Sequence, residues 1–388
     1  MTISFGSKSV FRDEYVGYVG ADMIDASTFV VAYFDQEIGD YSGYAIAGRI
    51  EGTSLSFGEA VEFDTTGYNY HNAVCRLTDT TFVLCYEDNW YDGVAIIGNL
   101  SGTTITFGSP QYYESEENAG KVGIARLSDT LFAIAYEGGY VRVGSVDGTV
   151  ITWGDRVAYD ITTGHIDYLA ITPMSATTFV LVYRSDAVYD NVAVVGTVDG
   201  TAIVLGSASV FSDFAYDMAV AKITDTTFVV SYAEDTPEEG RARVGTVTGS
   251  VITFGDVYTF SGYGPLEYVS IARLSDTSFV FSYRDYGASY AGKTVYGDVA
   301  GTVITFQDPV MFSSAISVTH STMRVSNSVF IIAFRDQSNT YKGTAIVGVV
   351  LGPPLVFDKA EISDVASGLK VSWDDYRSTG QRTVTWEQ

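Results

Sequence analysis

A repeat of about fifty residues dominates this chain of 388 residues. A phenylalanine that starts a short apolar run recurs at intervals of 47 to 53 residues, and a Gly-x-x-x-Gly pattern follows each occurrence. The phenylalanines are Phe29, Phe82, Phe132, Phe179, Phe228, Phe279 and Phe330, and the glycine pairs are Gly48/Gly52, Gly98/Gly102, Gly144/Gly148, Gly196/Gly200, Gly245/Gly249, Gly297/Gly301 and Gly348/Gly352. Seven copies span about residues 1–351, so the fold must consist of similar units that bury their apolar faces against one another.

Each copy predicts four short β-strands. In the sixth copy the predicted strands are Tyr268–Leu274, Ser278–Arg284, Thr294–Val299 and Val303–Phe306. Apolar residues stand at successive positions of the second strand, which indicates that both faces of the sheet are buried. Seven four-stranded antiparallel sheets of this kind predict an all-β fold, a seven-bladed β-propeller. A linear β-solenoid is the alternative, but it would favour shorter, parallel strands.

The two glycines of each pair have different predicted roles. The second stands in the turn between the third and fourth strands, where a tight hairpin requires a positive φ. The first stands inside the third strand, where glycine weakens a strand unless another group must come close. We therefore predict that an aromatic ring packs over the bare backbone at the first glycine.

The two ends of the chain have separate predicted roles. Ile3–Gly6 matches a fourth strand, so the first domain covers residues 1–352 and the N-terminal strand closes the last copy; Leu355–Phe357 is the alternative closing strand. Residues 353–388 form a C-terminal extension, in which Leu369–Trp373 and Thr383–Trp386 alternate apolar and polar side chains and predict a β-hairpin. Its residues Trp373 and Trp386 are predicted to dock on another protein, or alternatively to cap the ring.

Charge and hydropathy exclude several classes of partner. The chain has 22 basic and 47 acidic residues, and its net charge of −25 repels nucleic acid and anionic membranes. No run of 18 apolar residues is present, so no membrane insertion is expected. The first residues lack the basic and apolar regions of a Sec signal peptide, so secretion by that route is not expected.

The candidate binding residues lie on one predicted rim. Connections between the first and second strands, and between the third and fourth, are uniform, whereas the other two connections vary; variable loops on a rigid scaffold usually carry function. Aromatic rings beside carboxylates suit sugars or protein partners, although ordinary turn chemistry also accounts for them. The candidates are Tyr41, Tyr68, Tyr70, His71, Trp90, Tyr91, Tyr112, Tyr189, Tyr286, Tyr290 and Tyr341, with the acids Asp35, Asp88, Asp285 and Asp336.

Catalytic and cofactor signals are weak. His71, His165 and His320 show no metal-binding spacing, and neither a Gly-x-Ser-x-Gly elbow nor a phosphate-binding glycine loop occurs in a suitable context. We expect no enzyme, with a propeller glycosidase as the less favoured alternative, and no cofactor. The acids that follow the second strand fit loop capping or pairing with Arg284 and Arg335, and Ca²⁺ binding is the alternative.

Two further features predict structural roles. Cys75 and Cys85 flank one tight hairpin, where a disulfide is geometrically allowed, but small residues at the equivalent positions favour buried free thiols. The motif Arg-Leu-Ser-Asp-Thr recurs in varied form, and the two copies that lack its base, at Met23 and Pro173, also lack its acid. Where Arg324 stays, Asn327 can still accept a hydrogen bond, and this pattern predicts a contact within each hairpin. The pairs are Arg76/Asp79, Arg126/Asp129, Lys222/Asp225, Arg273/Asp276 and Arg324/Asn327.

Over about 350 residues the architecture and period resemble those of tandem-repeat seven-bladed propellers, including propeller lectins and propeller modules on phage and bacterial surfaces. The variable loops resemble those of an outward-facing recognition protein, yet no Sec signal is present. A virion protein meets both conditions, so we expect a non-enzymatic phage virion protein for decoration, fibre or tail attachment, assembled in the host cytoplasm. Its extension would contact other virion or surface proteins, and its variable loops would face outward toward glycans. The alternative is a carbohydrate-binding bacterial lectin, soluble or displayed at the cell surface, that is exported by a non-Sec route.

Overall fold

A computed structural model describes residues 1–36, 41–67, 69–115, 118–160, 166, 168–185, 189–262 and 264–352, and the backbone alone of 357–365, 368–375 and 382–385. Tyr68, His165, Trp386 and the side chain of Trp373 lie outside the described residues. The chain divides into two compact units. One consists of Ile3–Val350, and the other of Met1–Thr2 with Leu351–Gln388.

The described residues form an all-β fold in which strands are paired antiparallel. Within them, no helix is long and apolar enough to cross a membrane. The strands are β1 (Thr2–Phe5), β2 (Ser9–Met23), β3 (Thr28–Asp35), β4 (Gly43–Glu51), β5 (Ser54–Phe57), β6 (Val61–Asp64), β7 (Tyr70–Arg76), β8 (Thr81–Glu87), β9 (Gly93–Ser101), β10 (Thr104–Phe107), β11 (Gln111–Glu114), β12 (Val122–Arg126), β13 (Leu131–Tyr136), β14 (Tyr140–Asp147), β15 (Val150–Trp153), β16 (Val157–Ala158), β17 (Leu169–Ser175), β18 (Thr178–Arg184), β19 (Asn191–Asp199), β20 (Ala202–Leu205), β21 (Ser209–Ser212), β22 (Ala215–Lys222), β23 (Thr227–Glu234), β24 (Glu239–Thr248), β25 (Val251–Phe254), β26 (Tyr258–Ser261), β27 (Leu266–Ser275), β28 (Ser278–Asp285), β29 (Ala291–Ala300), β30 (Val303–Phe306), β31 (Val310–Arg324), β32 (Val329–Asp336), β33 (Lys342–Leu351), β34 (Phe357–Val365), β35 (Gly368–Asp375) and β36 (Arg382–Thr385), with short 3₁₀ turns at Tyr286–Ala288 and Gln337–Asn339.

The strands fall into seven sets that follow the sequence repeat. Sets 2 to 5 are separate five-stranded sheets, beginning at β7, β12, β17 and β22. The long strands β2 and β31 each serve two sets, so sets 6, 7 and 1 are joined in one 13-stranded sheet. No sheet closes on itself through hydrogen bonds among the described strands.

Each set has one strand more than the predicted four. In set 2, β10 pairs only with Gly98–Ser101 at the end of β9. The first half of β9 would therefore keep an open edge, and β11 covers it by pairing with Gly93–Ala95. The prediction of a loop at Tyr112 is wrong for this reason: Tyr112 lies in β11.

The first strands of successive sets contact one another, and the first strand of set 7 contacts that of set 1. Side chains join these neighbours by hydrogen bonds to the backbone. Asp22 of set 1 accepts from the Arg76 N–H of set 2 at 2.8 Å, and Ser321 of set 7 accepts from the Ala21 N–H at 3.1 Å. The seven first strands therefore form a closed cycle of contacts.

The predicted ring-over-glycine contact is confirmed in every set. Each repeat phenylalanine is fully buried and lies opposite the first glycine of its pair on the neighbouring strand, as Phe132 does opposite Gly144. A Cβ on any of these glycines would overlap the ring. The second glycines up to Gly301 have positive φ, +61° at Gly148, as the hairpin requires.

Both chain ends contain strands. β1 pairs with β33, and the Gly6 N–H donates to the Val347 carbonyl at 2.9 Å. In the second unit, β35 and β36 pair antiparallel, as the predicted hairpin requires. An additional strand, β34, pairs with the other edge of β35, so this segment forms a three-stranded sheet.

The cysteines and the base–acid motif have structural roles. Cys75 and Cys85 are buried free thiols, and burial raises the pKa of both. The predicted contacts are present: Lys222 lies 2.7 Å from Asp225, and Arg324 donates to Asn327 at 2.7 Å. The base also reaches the preceding set, since Arg126 Nε donates to the Leu77 carbonyl at 2.7 Å.

Arg273→Ala and Arg126→Ala are expected to differ in stability. Arg273 Nε donates to the Ser275 carbonyl of its own turn, and its pair with Asp276 is exposed, so its loss should lower the free energy of unfolding by less than about 1 kcal/mol. Loss of Arg126 also removes a bond between sets, so about 1–2 kcal/mol is expected. Urea unfolding measures both. Equal effects, or loss of ligand binding in Arg273→Ala, would contradict this interpretation.

Candidate functional site

Bulges shape the end of the first strands that faces the variable loops. The strand pairing is irregular there, as between Tyr70 and Ala73 of β7. One residue at each bulge has a positive φ: Tyr18, His71, Asp217, Tyr268 and Thr319. Bulges redirect side chains, and a positive φ is unfavourable for a bulky residue. The first strands therefore have a strained backbone conformation at equivalent positions of five sets.

These bulged segments enclose a cavity of about 450 Å³, which we call the central cavity. Every set contributes at least two residues to its wall. The lining residues are Tyr18, Val19, His71, Asn72, Lys121, Val122, Tyr168, Leu169, Tyr216, Asp217, Glu267, Tyr268, Val269, Thr319 and His320. The wall is mixed in character, with four tyrosines, two carboxyl groups and one lysine.

Polar groups of the central cavity are held in place by their neighbours. Asp217 accepts from the Tyr268 N–H at 2.5 Å, and burial raises the pKa of Asp217 to about 6. Lys121 Nζ lies 4.4 Å from the centre of the Tyr168 ring. Asn72 Nδ2 donates to the Tyr18 carbonyl at 3.1 Å, which holds this side chain in the wall.

Neither described histidine forms a nucleophile–base system. His320 Nε2 lies 3.0 Å from Ser317 Oγ, but Ser317 is fully buried. Burial lowers the pKa of His320 to about 3 and that of His71 to about 4. Both rings are therefore neutral near pH 7 and take part in the wall as uncharged polar groups.

Five predicted tyrosines occupy one equivalent position directly before the third strand. Each has a positive φ: Tyr41, Tyr91, Tyr189, Tyr290 and Tyr341. The conformation has a structural role in at least two of them, because the Tyr41 carbonyl accepts from the Asn69 N–H and the Tyr341 carbonyl from the Val16 N–H, each at 3.1 Å and each in the next set. The side chains remain accessible, with Tyr91 61% exposed.

The predicted acids are engaged by N–H groups of their own loops or by basic side chains. Asp88 accepts from the Trp90 and Asp92 N–H groups at 2.9 and 3.0 Å. Asp285 lies 2.6 Å from Lys293 Nζ and Asp336 lies 2.7 Å from Lys8 Nζ.

Pairing of these acids with Arg284 and Arg335 is wrong: Arg284 forms an ion pair with Glu267, and Arg335 donates to the Tyr15 hydroxyl at 2.8 Å. Asp35 pairs with Arg12 at 2.5 Å. Among the described residues no group of three or more acids, histidines or cysteines is arranged to hold a metal ion.

The other predicted residues do not form one site. Tyr286 packs against Tyr290, with ring centroids 4.5 Å apart and ring planes tilted by 58°. Trp90 is 73% exposed. Tyr112 lines a separate groove of about 270 Å³. Of the predicted residues that the structure describes, only His71 lines the central cavity.

Sequence reasoning missed the position directly after the aromatic residue that ends each apolar run. Its occupants in chain order are Phe34, Glu87, Glu137, Arg184, Ala233, Arg284 and Arg335. A repeat column that changes between acid, base and apolar residue is a detectable signal of a site that is not symmetric.

Glu87 and Glu137 meet at a second pocket, of about 240 Å³, which we call the side pocket. Its lining residues are Tyr18, Tyr70, His71, Glu87, Tyr91, Asn118, Gly120 and Glu137. Tyr18 and His71 also line the central cavity, so the two spaces adjoin. Three predicted residues, Tyr70, His71 and Tyr91, are brought together here.

Comparison with known proteins provides a likeness of fold. No family model and no curated protein matches the chain. The crystal structure of a protein of unknown function from Dyadobacter fermentans is similar, with a TM-score of 0.53 and 10% identity over 90% of this chain and 99% of that chain. At this identity the likeness concerns the fold alone.

Proposed function

We propose that Ile3–Val350 is a seven-bladed β-propeller that binds a polar, hydroxyl-bearing ligand such as a glycan, without catalysis, at the central cavity. The seven sets would be the blades, and the cycle of contacts between first strands supports that arrangement. The central cavity, to which all seven first strands contribute, is the observation that carries the proposal.

The chemistry of the wall supports this ligand class. Ligand sites commonly measure about 300–1,000 Å³ and combine aromatic surface with a few placed polar groups. Here Tyr216, whose ring centroid lies 6.3 Å from that of Tyr168, offers aromatic surface, and Asp217 offers an acceptor for hydroxyl groups. The neutral histidines and the buried Ser317 favour binding over nucleophilic catalysis.

Tyr216→Ala is expected to weaken glycan binding about tenfold, because truncating an aromatic contact residue typically costs more than about 1 kcal/mol. A glycan array identifies the ligand, and calorimetry on the parent and variant measures the affinity. Tyr112→Ala is the matched control, since Tyr112 lines the separate groove. Equal losses of glycan affinity in both variants, or no glycan binding by the parent protein, would contradict the proposal.

Two expectations from the amino-acid sequence stay predictions. One is that the protein belongs to a virion or a cell surface, and the other is that residues 353–388 dock on another protein. Deletion of 353–388 tests the docking role: assembly with partner proteins should be lost while the ring still unfolds at its parental urea midpoint.

A further inference from the structure

Glu87 is a buried carboxylate in the side pocket without a compensating cation. Only 4% of the residue is exposed, and no hydrogen bond to its carboxylate is present among the described residues. Its nearest basic group is His71 Nε2 at 3.8 Å, beyond hydrogen-bond distance. Because burial lowers the pKa of His71 to about 4, that ring is uncharged near pH 7.

A second carboxylate adds to this negative charge. Glu137 is 7% exposed and also lines the side pocket. Its Oε2 accepts from the Lys121 backbone N–H at 3.0 Å, whereas Lys121 Nζ lies over Tyr168 at the central cavity. Two buried carboxyl groups therefore line one pocket, and the nearby Glu137 makes the charged form of Glu87 less favourable.

The remaining wall is aromatic. The Tyr18 and Tyr70 rings lie edge to face, with centroids 5.2 Å apart. Tyr91 is held at the mouth by its left-handed backbone, whose carbonyl accepts from the Ala119 N–H of the next set. Aromatic rings combined with carboxylates attract ammonium ions through both the ring quadrupole and the opposite charge.

The equivalent position in other sets supports the same conclusion. Arg184 and Arg284 replace the acids there, and each guanidinium lies 4.8 Å from the centre of a tyrosine ring, of Tyr168 and Tyr268 respectively. In those sets the protein supplies its own cation over an aromatic ring. At Glu87 the charge is reversed, and His71 is the one basic side chain within 4 Å of its carboxylate among the described residues. A compensating cation for Glu87 would therefore come from outside.

We propose that the side pocket binds the ammonium group of a small organic cation, with Glu87 as its counter-ion. This inference rests on the proposed function, because the side pocket adjoins the central cavity and would select a ligand that carries an amine.

Choline and its neutral analogue 3,3-dimethylbutan-1-ol test the proposal with matched shapes, by calorimetry on the full chain at pH 8. Choline is expected to bind at least tenfold more tightly than the alcohol. Glu87→Gln, which preserves the shape of the side chain, should remove most of that preference, whereas the exposed control Glu59→Gln should retain it. Equal binding of the two probes, or unchanged choline binding by Glu87→Gln, would overturn the proposal.

The pH dependence separates a counter-ion from a structural carboxyl group. Burial, with Glu137 and Asp88 nearby, raises the pKa of Glu87 to about 7, while His71 is neutral and burial raises the pKa of Tyr18. A proton then competes with the cation, so choline affinity should fall about tenfold from pH 8 to pH 6. A flat profile contradicts the role of Glu87.

The two proposals can fail separately. Glycan binding without choline binding would retain the proposed function and remove the side-pocket inference. Choline binding without any glycan would retain the side pocket and remove the glycan proposal.

Discussion

The Phe132→Ala variant is expected to lose about 3–5 kcal/mol of its free energy of unfolding. Phe132 is fully buried, covers Gly144, and meets the Trp153 ring edge to face with centroids 5.5 Å apart. Removing the ring leaves a cavity that Gly144, without a side chain, does not fill. Urea unfolding followed by tryptophan fluorescence measures the loss.

Gly144→Ala tests the same contact from the other side. Its Cβ would overlap the Phe132 ring, so about 1–3 kcal/mol is expected from overpacking. Gly148→Ala is the matched control: a Cβ there meets no atom within 4 Å, but its φ of +61° still costs about 1 kcal/mol. A Phe132→Ala loss below about 1 kcal/mol would show that the ring does not support the strand.

Ile3→Ala combined with Phe5→Ala is expected to destabilise the seven-set unit by about 4–7 kcal/mol. Ile3 is 8% exposed, and Phe5 meets Phe330 edge to face with centroids 6.0 Å apart. Both side chains lie on β1, which pairs with β33, so their loss weakens the closure between the first and last sets. Chemical unfolding of the full chain provides the measurement.

Ser4→Ala is the control for this variant. Ser4 lies on the exposed face of β1, between the two apolar residues, and a change of less than about 0.5 kcal/mol is expected. If the double variant were as stable as Ser4→Ala, a segment other than β1 would close the last set, and Leu355–Phe357 would become the candidate.

The repeat predicted the local contacts of the fold. Apolar periodicity identified the strands, and the pairing of Phe with Gly followed from the weakness of glycine inside a strand. The base–acid turn also followed, because residues three apart in a tight turn interact whatever surrounds them. The bond from Arg126 to Leu77 was not predictable in this way, since its partner belongs to another repeat.

The candidate site was predicted only in part. The loop tyrosines and acids were found from their composition, but most of the acids cap turns or pair with bases inside the fold. Glu87 and Glu137 directly follow the apolar runs and were absent from the predicted set. Their importance depends on Tyr18 and Tyr70, which lie on other strands.

The seven sets, the ring-over-glycine packing and the variable connections could be identified from the amino-acid sequence, because they depend on patterns within one repeat of about fifty residues. The fifth strand of each set, the bulges of the first strands and the two cavities became apparent only in the three-dimensional fold. Bulges shift strand register by one residue, and residues from seven repeats meet only when the first strands contact one another. Such convergence is non-local, so no periodic pattern along the chain records it.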